Sequence, residues 1–257
     1  MRIEVGTDVG LVRKINEDSY DVYECDDYAY AVVADGMGGH LAGEVASAMA
    51  VEKIREYITK NMTGDLDRFQ IKELLSCAFH YANEEIYEYS CLNERVMGMG
   101  TTTTLCMVRD GWLIYAHVGD SRAYMINGDI MQITRDHSYV QELVKLGLIT
   151  PEEARRHPNR NQITRAMGVE QAVRVDSGVI PYTGHTILLC TDGLFGELED
   201  NEMRDIAEQT EPRAAVRKLI ELAKDRGGRD NITVILMNGD KDTEDNAEDQ
   251  SVKGENK

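Results

Sequence analysis

Hydrophobic positions along the chain change their spacing several times, and each spacing predicts a different kind of element. Apolar and polar residues alternate over residues 3–7, which predicts a strand with one buried face, and the apolar run at residues 28–34 predicts a fully buried strand. Apolar side chains then recur at helical spacing over residues 42–62 and 69–94. These two segments predict consecutive helices, of about 20 and about 25 residues, that form one helical layer.

The second half of the chain returns to shorter apolar runs. Asn127-Gly128 lies between two of them, which is a strong signal for a β-hairpin. Residues 136–168 are rich in charge and are interrupted by Gly147, Pro151 and Pro158, so short helical pieces are predicted there. Strands are predicted at 101–108, 113–118, 122–126, 130–133, 173–180, 186–190 and 232–237, and helices at 202–208 and 213–226. Strands that pair mostly with their sequence neighbours, and helices in pairs, indicate an α+β fold with an antiparallel sheet core covered by helices.

The length and the distribution of residue types indicate one domain followed by a tail. The 257 residues allow one large domain or two small ones. No linker, repeat or change of composition interrupts residues 22–238, so a single domain at 1–238 is predicted. Residues 239–257 are polar and acidic, and they are predicted to be a disordered tail.

Charge and cysteine content limit the binding partners and the cellular compartment that we expect for the protein. A formal net charge of −18 argues against binding to nucleic acid or to an anionic membrane, because both need a basic surface. The first residues lack the apolar core of a signal peptide, and no stretch approaches the length of a membrane span. The five cysteines form no C-x-x-C pair, which favours reduced thiols, mostly in the core, of a cytoplasmic protein.

Acidic residues recur where predicted strands end. An apolar strand runs directly into an aspartate beside glycine at Asp35, at Asp120 and at Asp192, and Asp230 leads into the last strand. Any one of these is more often ordinary turn chemistry than a site. The set differs because acids at the ends of adjacent strands point into one volume, where each raises the pKa of the others. A divalent cation relieves that repulsion, and oxygen ligands without His or Cys favour Mg²⁺ or Mn²⁺ over Zn²⁺.

Other residues extend the predicted metal site. Glu17 and Asp18 add a pair of acids in the loop after the first strand, and Gly36 lets a backbone carbonyl approach an ion. An acid shared by two ions would form a two-metal site for in-line attack on phosphorus by bound hydroxide. Arg13, four residues before Glu17, is a candidate bidentate clamp for the phosphate of a substrate.

Two kinds of nucleotide-binding loop are weaker interpretations of the sequence. Gly36-Met37-Gly38-Gly39 lies between a predicted strand and a predicted helix, as in a dinucleotide-binding loop, but the third glycine of that fingerprint would fall at Leu41. Asp35 also places a negative charge where a pyrophosphate would bind. No G-x-x-x-x-G-K-[ST] sequence occurs, so a P-loop enzyme is not supported.

Six short motifs follow one another along residues 1–238. They are Arg13…Glu17-Asp18, Ala34-Asp35-Gly36-Met37-Gly38-Gly39-His40, Gly98-Met99-Gly100-Thr101-Thr102, Gly119-Asp120-Ser121-Arg122, Thr191-Asp192-Gly193-Leu194 and Asp230-Asn231-Ile232-Thr233. In this order they resemble the motif series of the metal-dependent serine/threonine protein phosphatases (the PPM family), and the short domain with Asp-Gly-Met-Gly-Gly-His resembles the bacterial branch. The resemblance implies a PPM-type domain at 1–238. Its fold would be a four-layer sandwich of two antiparallel β-sheets flanked by pairs of α-helices, with the metals in a channel at one end.

The resemblance also implies which residues hold the core ions. Asp35, Asp192 and Asp230 would be direct ligands of two Mn²⁺ or Mg²⁺ ions and so the centre of catalysis. Asp35 would bridge the two ions, and Gly36 would contribute its carbonyl.

Further residues gain roles around that centre. Glu17 and Asp18 would hold metal-bound waters, and Asp120 together with Asp192 would hold a third, weaker ion. Arg13 would bind the phosphate of the substrate. Residues 136–168 occupy the place of the family's flap, which borders the site and influences substrate choice.

The chain departs from the eukaryotic pattern at one position. Eukaryotic members carry a histidine directly after Asp-Gly, a candidate general acid for the leaving alcohol, whereas this chain has Met37. His40 is one candidate to replace it, and a water on the third metal is the other.

The activity implied by the resemblance is hydrolysis of phosphoserine and phosphothreonine on proteins by a metal-activated water. The partners would be phosphorylated proteins and, as functional opponent, a bacterial serine/threonine kinase, with the phosphatase acting as a monomer. Two other classes stay open. One is a catalytically silent relative that binds or senses, and the other is a two-metal phosphodiesterase or nuclease, which the charge of −18 disfavours.

Overall fold

The structure, a computed structural model, describes residues 1–38 and 42–239. The strands are β1 (Arg2–Asp8), β2 (Asp18–Glu24), β3 (Ala29–Met37), β4 (Gly100–Thr101), β5 (Thr103–Arg109), β6 (Trp112–Val118), β7 (Arg122–Ile126), β8 (Ile130–Gln132), β9 (Asp176–Pro181), β10 (Thr186–Cys190) and β11 (Ile232–Asn238). The helices are α1 (Ala42–Asn61), α2 (Arg68–Leu92), α3 (Tyr139–Lys145), α4 (Pro151–Arg156), α5 (Asp192–Phe195), α6 (Asp200–Gln209) and α7 (Pro212–Asp225), with one 3-10 turn at Glu94–Val96.

The strands of the described residues form two antiparallel sheets. The first sheet has the order β1-β11-β10-β7-β8, and the second has the order β2-β3-β5-β6-β9 with β4 paired to β3. The sheets pack on each other through small and branched side chains such as Val33 and Ile235. Helices α1 and α2 cover the outer face of the second sheet, and α6 and α7 cover that of the first. The predicted α+β sandwich of four layers is confirmed.

Strand β3 contributes side chains to two hydrophobic cores, one on each of its faces. Tyr30 and Val32 point to the helices α1 and α2, whereas Ala31 and Val33 point to the other sheet. Both faces of the strand are therefore buried, which is why its sequence is a continuous apolar run rather than an alternation.

The differences between prediction and structure concentrate at the acidic residues. The sequence predicts a loop at Asp18, whereas Asp18 begins β2, a strand of mostly polar residues that has a weak apolar signal. It predicts that the strand ends before Asp35, whereas β3 continues through Met37 because its last two residues pair with β4. It predicts a turn at Asp192, whereas Asp192 begins the short helix α5.

Two other predictions concern features away from the sheets. The prediction that most cysteines lie in the core is wrong, because Cys25, Cys77 and Cys91 are exposed and only Cys106 and Cys190 are buried. His40 and residues 240–257 of the predicted tail lie outside the described residues. Among the helices that are described, none has the combined length and apolar character needed to cross a membrane.

Candidate active site

Asp35 lies at the centre of a group of acidic side chains. It is the register partner of Asp18 in the antiparallel pair β2–β3, so the two carboxyl groups stand side by side on one face of the second sheet. Burial raises the pKa of Asp35 well above its usual range, and the charges of Asp18, Asp192, Asp120 and Asp230 raise it further. Acids from both sheets therefore meet around Asp35.

Asp192 enters this group from the first sheet. It follows strand β10 and begins α5, and burial, with the charge of Asp230 next, raises its pKa to about 6. A Cβ on the following residue, Gly193, would lie 2.0 Å from the carbonyl oxygen of Asn231. Glycine at 193 thus lets the start of α5 lie directly against the segment that carries Asp230.

Asp18 is oriented by two threonines of the first sheet. Its Oδ2 atom accepts hydrogen bonds from the hydroxyls of Thr191 at 2.9 Å and of Thr233 at 2.7 Å. Burial nevertheless raises the pKa of Asp18 to about 7, against the effect of these two bonds. Both threonines belong to the sequence motifs, but their role was not predicted from the sequence. Thr191 directly precedes Asp192 and Thr233 lies three residues after Asp230, and this closeness to the predicted ligands is the signal that could have found them.

Glu17 lies where three chain segments are in close contact. Its carbonyl oxygen accepts a hydrogen bond from the Gly36 N–H at 3.0 Å. A Cβ on Gly36 would lie 2.1 Å from the Gly43 carbonyl oxygen, and a Cβ on Gly43 would lie 2.7 Å from Oε1 of Glu17. The two glycines are therefore required for α1 to begin beside β3 and the Glu17 carboxylate.

Asn231 holds the loop that leads from β1 to Glu17, a role that the sequence does not predict. Its Oδ1 accepts a hydrogen bond from the Glu17 N–H at 2.8 Å, and its side-chain nitrogen donates to the carbonyls of Val9 and Ile15, each at 3.0 Å. One amide thereby satisfies three backbone groups of the loop. This fixes the loop, and with it Arg13, relative to Asp230.

Arg13 and Asp230 form an ion pair at the edge of the acidic group. Nη2 of Arg13 lies 2.7 Å from Oδ2 of Asp230, and the Arg13 side chain is 48% exposed. The guanidinium has five N–H donors in a fixed fork. A single bond to Asp230 orients the fork and leaves donors for a phosphate arriving from solvent.

Asp120 lies in the bend between β6 and β7, where the chain passes from the second sheet to the first. It is buried, and burial raises its pKa well above the usual range, with Asp192 and Asp136 adding to the rise and Arg122 acting against it. The preceding Gly119 has φ +110°, and a Cβ there would lie 2.4 Å from Cβ of Thr102. The bend can therefore be made only with glycine at 119.

The chemistry of the acidic group fits a hard divalent cation. Three buried carboxylate oxygens of the acidic group have no hydrogen-bond partner among the described residues: Oε1 of Glu17, Oδ1 of Asp18 and Oδ1 of Asp192. Buried polar atoms are normally paired, so these three need a ligand, and oxygen donors suit Mg²⁺ or Mn²⁺. Within residues 1–38 and 42–239, no three His, Cys, Asp or Glu side chains form a ready-made metal cage.

The chain matches a known protein family over most of its length. A family model described as protein phosphatase 2C matches residues 11–236. The chain belongs to the protein phosphatase 2C family. This phosphatase is 40% identical over 241 residues to the serine/threonine phosphatase stp of Listeria innocua, a match that covers 92% of this chain and 95% of the relative.

Solved structures agree with the fold and the family. Serine/threonine phosphatase Stp1 from Staphylococcus aureus superposes on this phosphatase with a TM-score of 0.86 at 36% identity, covering 92% of this chain and 94% of that one. The catalytic domain of the serine/threonine phosphatase PstP, solved with two manganese ions, gives a TM-score of 0.78 at 35% identity over 91% of this chain and 96% of that one. The resemblance to the bacterial branch of the PPM family is confirmed, and this chain is a metal-dependent serine/threonine phosphatase.

Proposed function

We propose that this phosphatase hydrolyses phosphoserine and phosphothreonine in proteins at a site of two core Mn²⁺ or Mg²⁺ ions and a third, weaker ion. The observation that carries the proposal is that the half-buried Asp18, Asp35 and Asp192 lie together and that buried oxygens of Asp18 and Asp192 have no hydrogen-bond partner. The exposed guanidinium of Arg13 lies at the edge of this group. Carboxylates that repel one another next to a phosphate-binding cation suit a reaction that needs metal ions and a phosphorylated substrate.

The side chains divide the work of holding the ions. Asp35, Asp192 and Asp230 would be direct ligands, with Asp35 shared between the two core ions and the Gly36 carbonyl completing the set. Glu17 and Asp18 would hold water ligands, and Asp120 with Asp192 would hold the third ion. Such ions, when bound, lower the pKa of water and offset the negative charge of a phosphoryl group.

Substrate binding and proton supply are assigned to residues at the rim of the site. Arg13, oriented by Asp230, would bind two oxygens of the phosphate, which places the phosphorus against the acidic group. The proton for the leaving serine or threonine oxygen would come from His40 or from a water, and His40 lies outside the described residues.

The wider role follows from the substrate. We propose that the phosphatase works in the cytoplasm as a monomer and reverses the action of a bacterial serine/threonine kinase. The catalytic domain would span residues 1–238, and residues 239–257 would form an acidic tail.

The test compares phosphate release with and without metal. We expect the purified protein to release phosphate from a phosphothreonine peptide with Mn²⁺ and to lose nearly all of this activity in excess chelator. Asp192→Asn should abolish turnover in Mn²⁺, whereas the control Asp205→Asn, at an aspartate that pairs with Arg204 on the surface, should not. Equal phosphate release with Mn²⁺ and with excess chelator would overturn the proposal. Cleavage of single-stranded DNA faster than of the phosphopeptide would favour a phosphodiesterase or nuclease.

A further inference from the structure

The backbone of Gly119 is held by a single residue, His137. The N–H of Gly119 donates to Nδ1 of the His137 ring at 3.0 Å, and the N–H of His137 donates to the carbonyl oxygen of Gly119 at 2.7 Å. Both polar backbone groups of residue 119 are thus bound by residue 137. Gly119 immediately precedes Asp120, so the same two bonds fix the direction in which the Asp120 side chain leaves the chain.

The bond from Gly119 fixes the tautomer of the ring, and the other ring nitrogen faces Asp176 and Arg165. Nε2 of His137 lies 3.2 Å from Oδ2 of Asp176 and 2.8 Å from Nη1 of Arg165. Because Nδ1 accepts the hydrogen bond of the Gly119 N–H, a neutral ring carries its proton on Nε2, where it faces Oδ2 of Asp176. In this tautomer Nε2 cannot accept from Arg165, so the guanidinium is held by Asp176 instead. Arg165 in turn donates to Oδ1 of Asp176 at 2.8 Å.

Burial keeps the ring in this state. His137 is 5% exposed, and burial, helped by the charge of Arg165, lowers its pKa against the effect of Asp176. A doubly protonated ring could not accept the Gly119 N–H. The ring therefore acts as a fixed acceptor for the bend and as a donor to the β9 end of the second sheet.

The bend needs such support because its own shape is unusual. Gly119 has a positive φ, and it lies against Thr102 with no room for a side chain. A glycine in this position has more conformational freedom than any other residue, so an external constraint is required to hold Asp120 in one place.

We propose that His137 is a positioning residue that sets the place of the Asp120 carboxylate and thereby the affinity of the third, weaker metal site. The inference rests on the proposed function, because it takes Asp120 as part of that site. The side chain of His137 bonds Gly119 and Asp176 and none of the proposed metal ligands. Residues that orient metal ligands commonly change metal affinity by about 10- to 100-fold when replaced.

Two isosteric variants separate the roles of the ring nitrogens. In His137→Asn the side-chain oxygen can take the place of Nδ1 and accept from Gly119, whereas His137→Gln reaches the place of Nε2 and offers nothing to Gly119. The measurements are Mn²⁺ binding by calorimetry and hydrogen exchange of the Gly119 amide by NMR. Asp120→Asn serves as the reference protein that lacks the third site.

We expect His137→Asn to bind the weak Mn²⁺ ion with a Kd within about threefold of the original protein, and His137→Gln to raise that Kd about tenfold or more. The Gly119 amide should exchange faster in His137→Gln only. If His137→Gln does not fold, Asp176→Ala replaces it, because it removes the acceptor that holds Nε2 of the ring. It should raise the weak-site Kd by a smaller factor.

The outcomes distinguish this inference from the proposed function. An unchanged Mn²⁺ isotherm in Asp120→Asn would show that Asp120 holds no third ion, which contradicts the proposed function itself. Loss of the weak site in Asp120→Asn, with equal Kd values in His137→Asn and His137→Gln, would overturn the role of His137 alone.

Discussion

Asp18 and Asp35 are register partners across β2 and β3, so the hydrogen bonds that build the second sheet also hold two carboxyl groups side by side. Like charges directly opposite each other on neighbouring strands destabilise the pair, and burial increases the cost. The pairing of β2 with β3 therefore lowers the stability of the metal-free protein at this position. Removal of one of the two charges should raise that stability.

Asp35→Asn should stabilise the metal-free protein while it abolishes the activity. The substitution removes the charge at the centre of the group, so we expect the free energy of unfolding in chelator to rise by about 1–3 kcal/mol. In Mn²⁺ the order should reverse, because only the original protein gains the free energy of metal binding. Thermal unfolding of both proteins in the two buffers measures this. A lower melting temperature of Asp35→Asn in chelator would contradict it.

Thr233→Val should weaken Mn²⁺ binding although it changes none of the proposed metal ligands. The Thr233 hydroxyl lies 2.7 Å from Oδ2 of Asp18, and valine has nearly the same shape without the donor. Loss of this charge-assisted bond should raise the Mn²⁺ concentration for half-maximal activity about tenfold. The control is Thr186→Val, at a strand threonine that bonds Asn238 and contacts none of the acids. Equal effects of both substitutions would show a general loss of stability instead.

Arg13→Lys should raise KM for phosphorylated substrates by about tenfold, with a smaller effect on kcat. Lysine keeps the charge but has no planar fork, so it cannot bind two phosphate oxygens and Asp230 together. Initial rates with a phosphothreonine peptide over a range of concentrations separate the two constants. Arg2→Lys is the matched control, because Arg2 pairs with Glu4 and Glu211 at the opposite end of β1. An unchanged KM in Arg13→Lys would exclude the phosphate role.

His117 should make the folded protein sensitive to mild acid. Burial lowers its pKa to about 3, with His137 adding to the effect and Asp136 and Asp176 acting against it. The unfolded chain binds a proton near pH 6.5, so between about pH 6.5 and 3 only the unfolded state takes it up. Stability should therefore fall as the pH falls, by up to about 1.4 kcal/mol per pH unit from this group.

The measurement is urea unfolding of the original protein and of His117→Gln between pH 7.5 and 5. The variant should be less stable at pH 7.5 but should lack this part of the pH dependence, because glutamine does not titrate. Parallel stability curves for the two proteins would contradict the assignment.

The sequence predicted the layers of the fold better than the contacts of the site. Helices α1 and α2 follow directly from apolar spacing. Asp35 and Asp192 were predicted because an apolar run meets an aspartate, and Asp230 because it leads into the last strand. Strand β2 was missed because its polar residues carry almost no period-two signal, although its first residue is Asp18. Local patterns predict an element only where burial imposes a hydrophobic spacing.

The side chains that orient the acids could not be predicted for a different reason. Thr233 and Asp18 are 215 residues apart in the chain, and His137 is 18 residues from the glycine that it holds. Such bonds depend on how distant parts of the chain pack together. The spacing of residues within one segment carries no information about that packing. Threonine, asparagine and histidine are also common in strands and loops without any such role.

The acids around Asp35 come from both sheets, since Asp18 belongs to β2 and Asp192 follows β10. Ions held between these acids would therefore link the two sheets of the sandwich, in addition to any part in the reaction. We expect chelation to speed the separation of the two layers, so that a protease would cut the stripped enzyme sooner than the loaded one. Metal supply would then set the lifetime of this phosphatase as well as its rate.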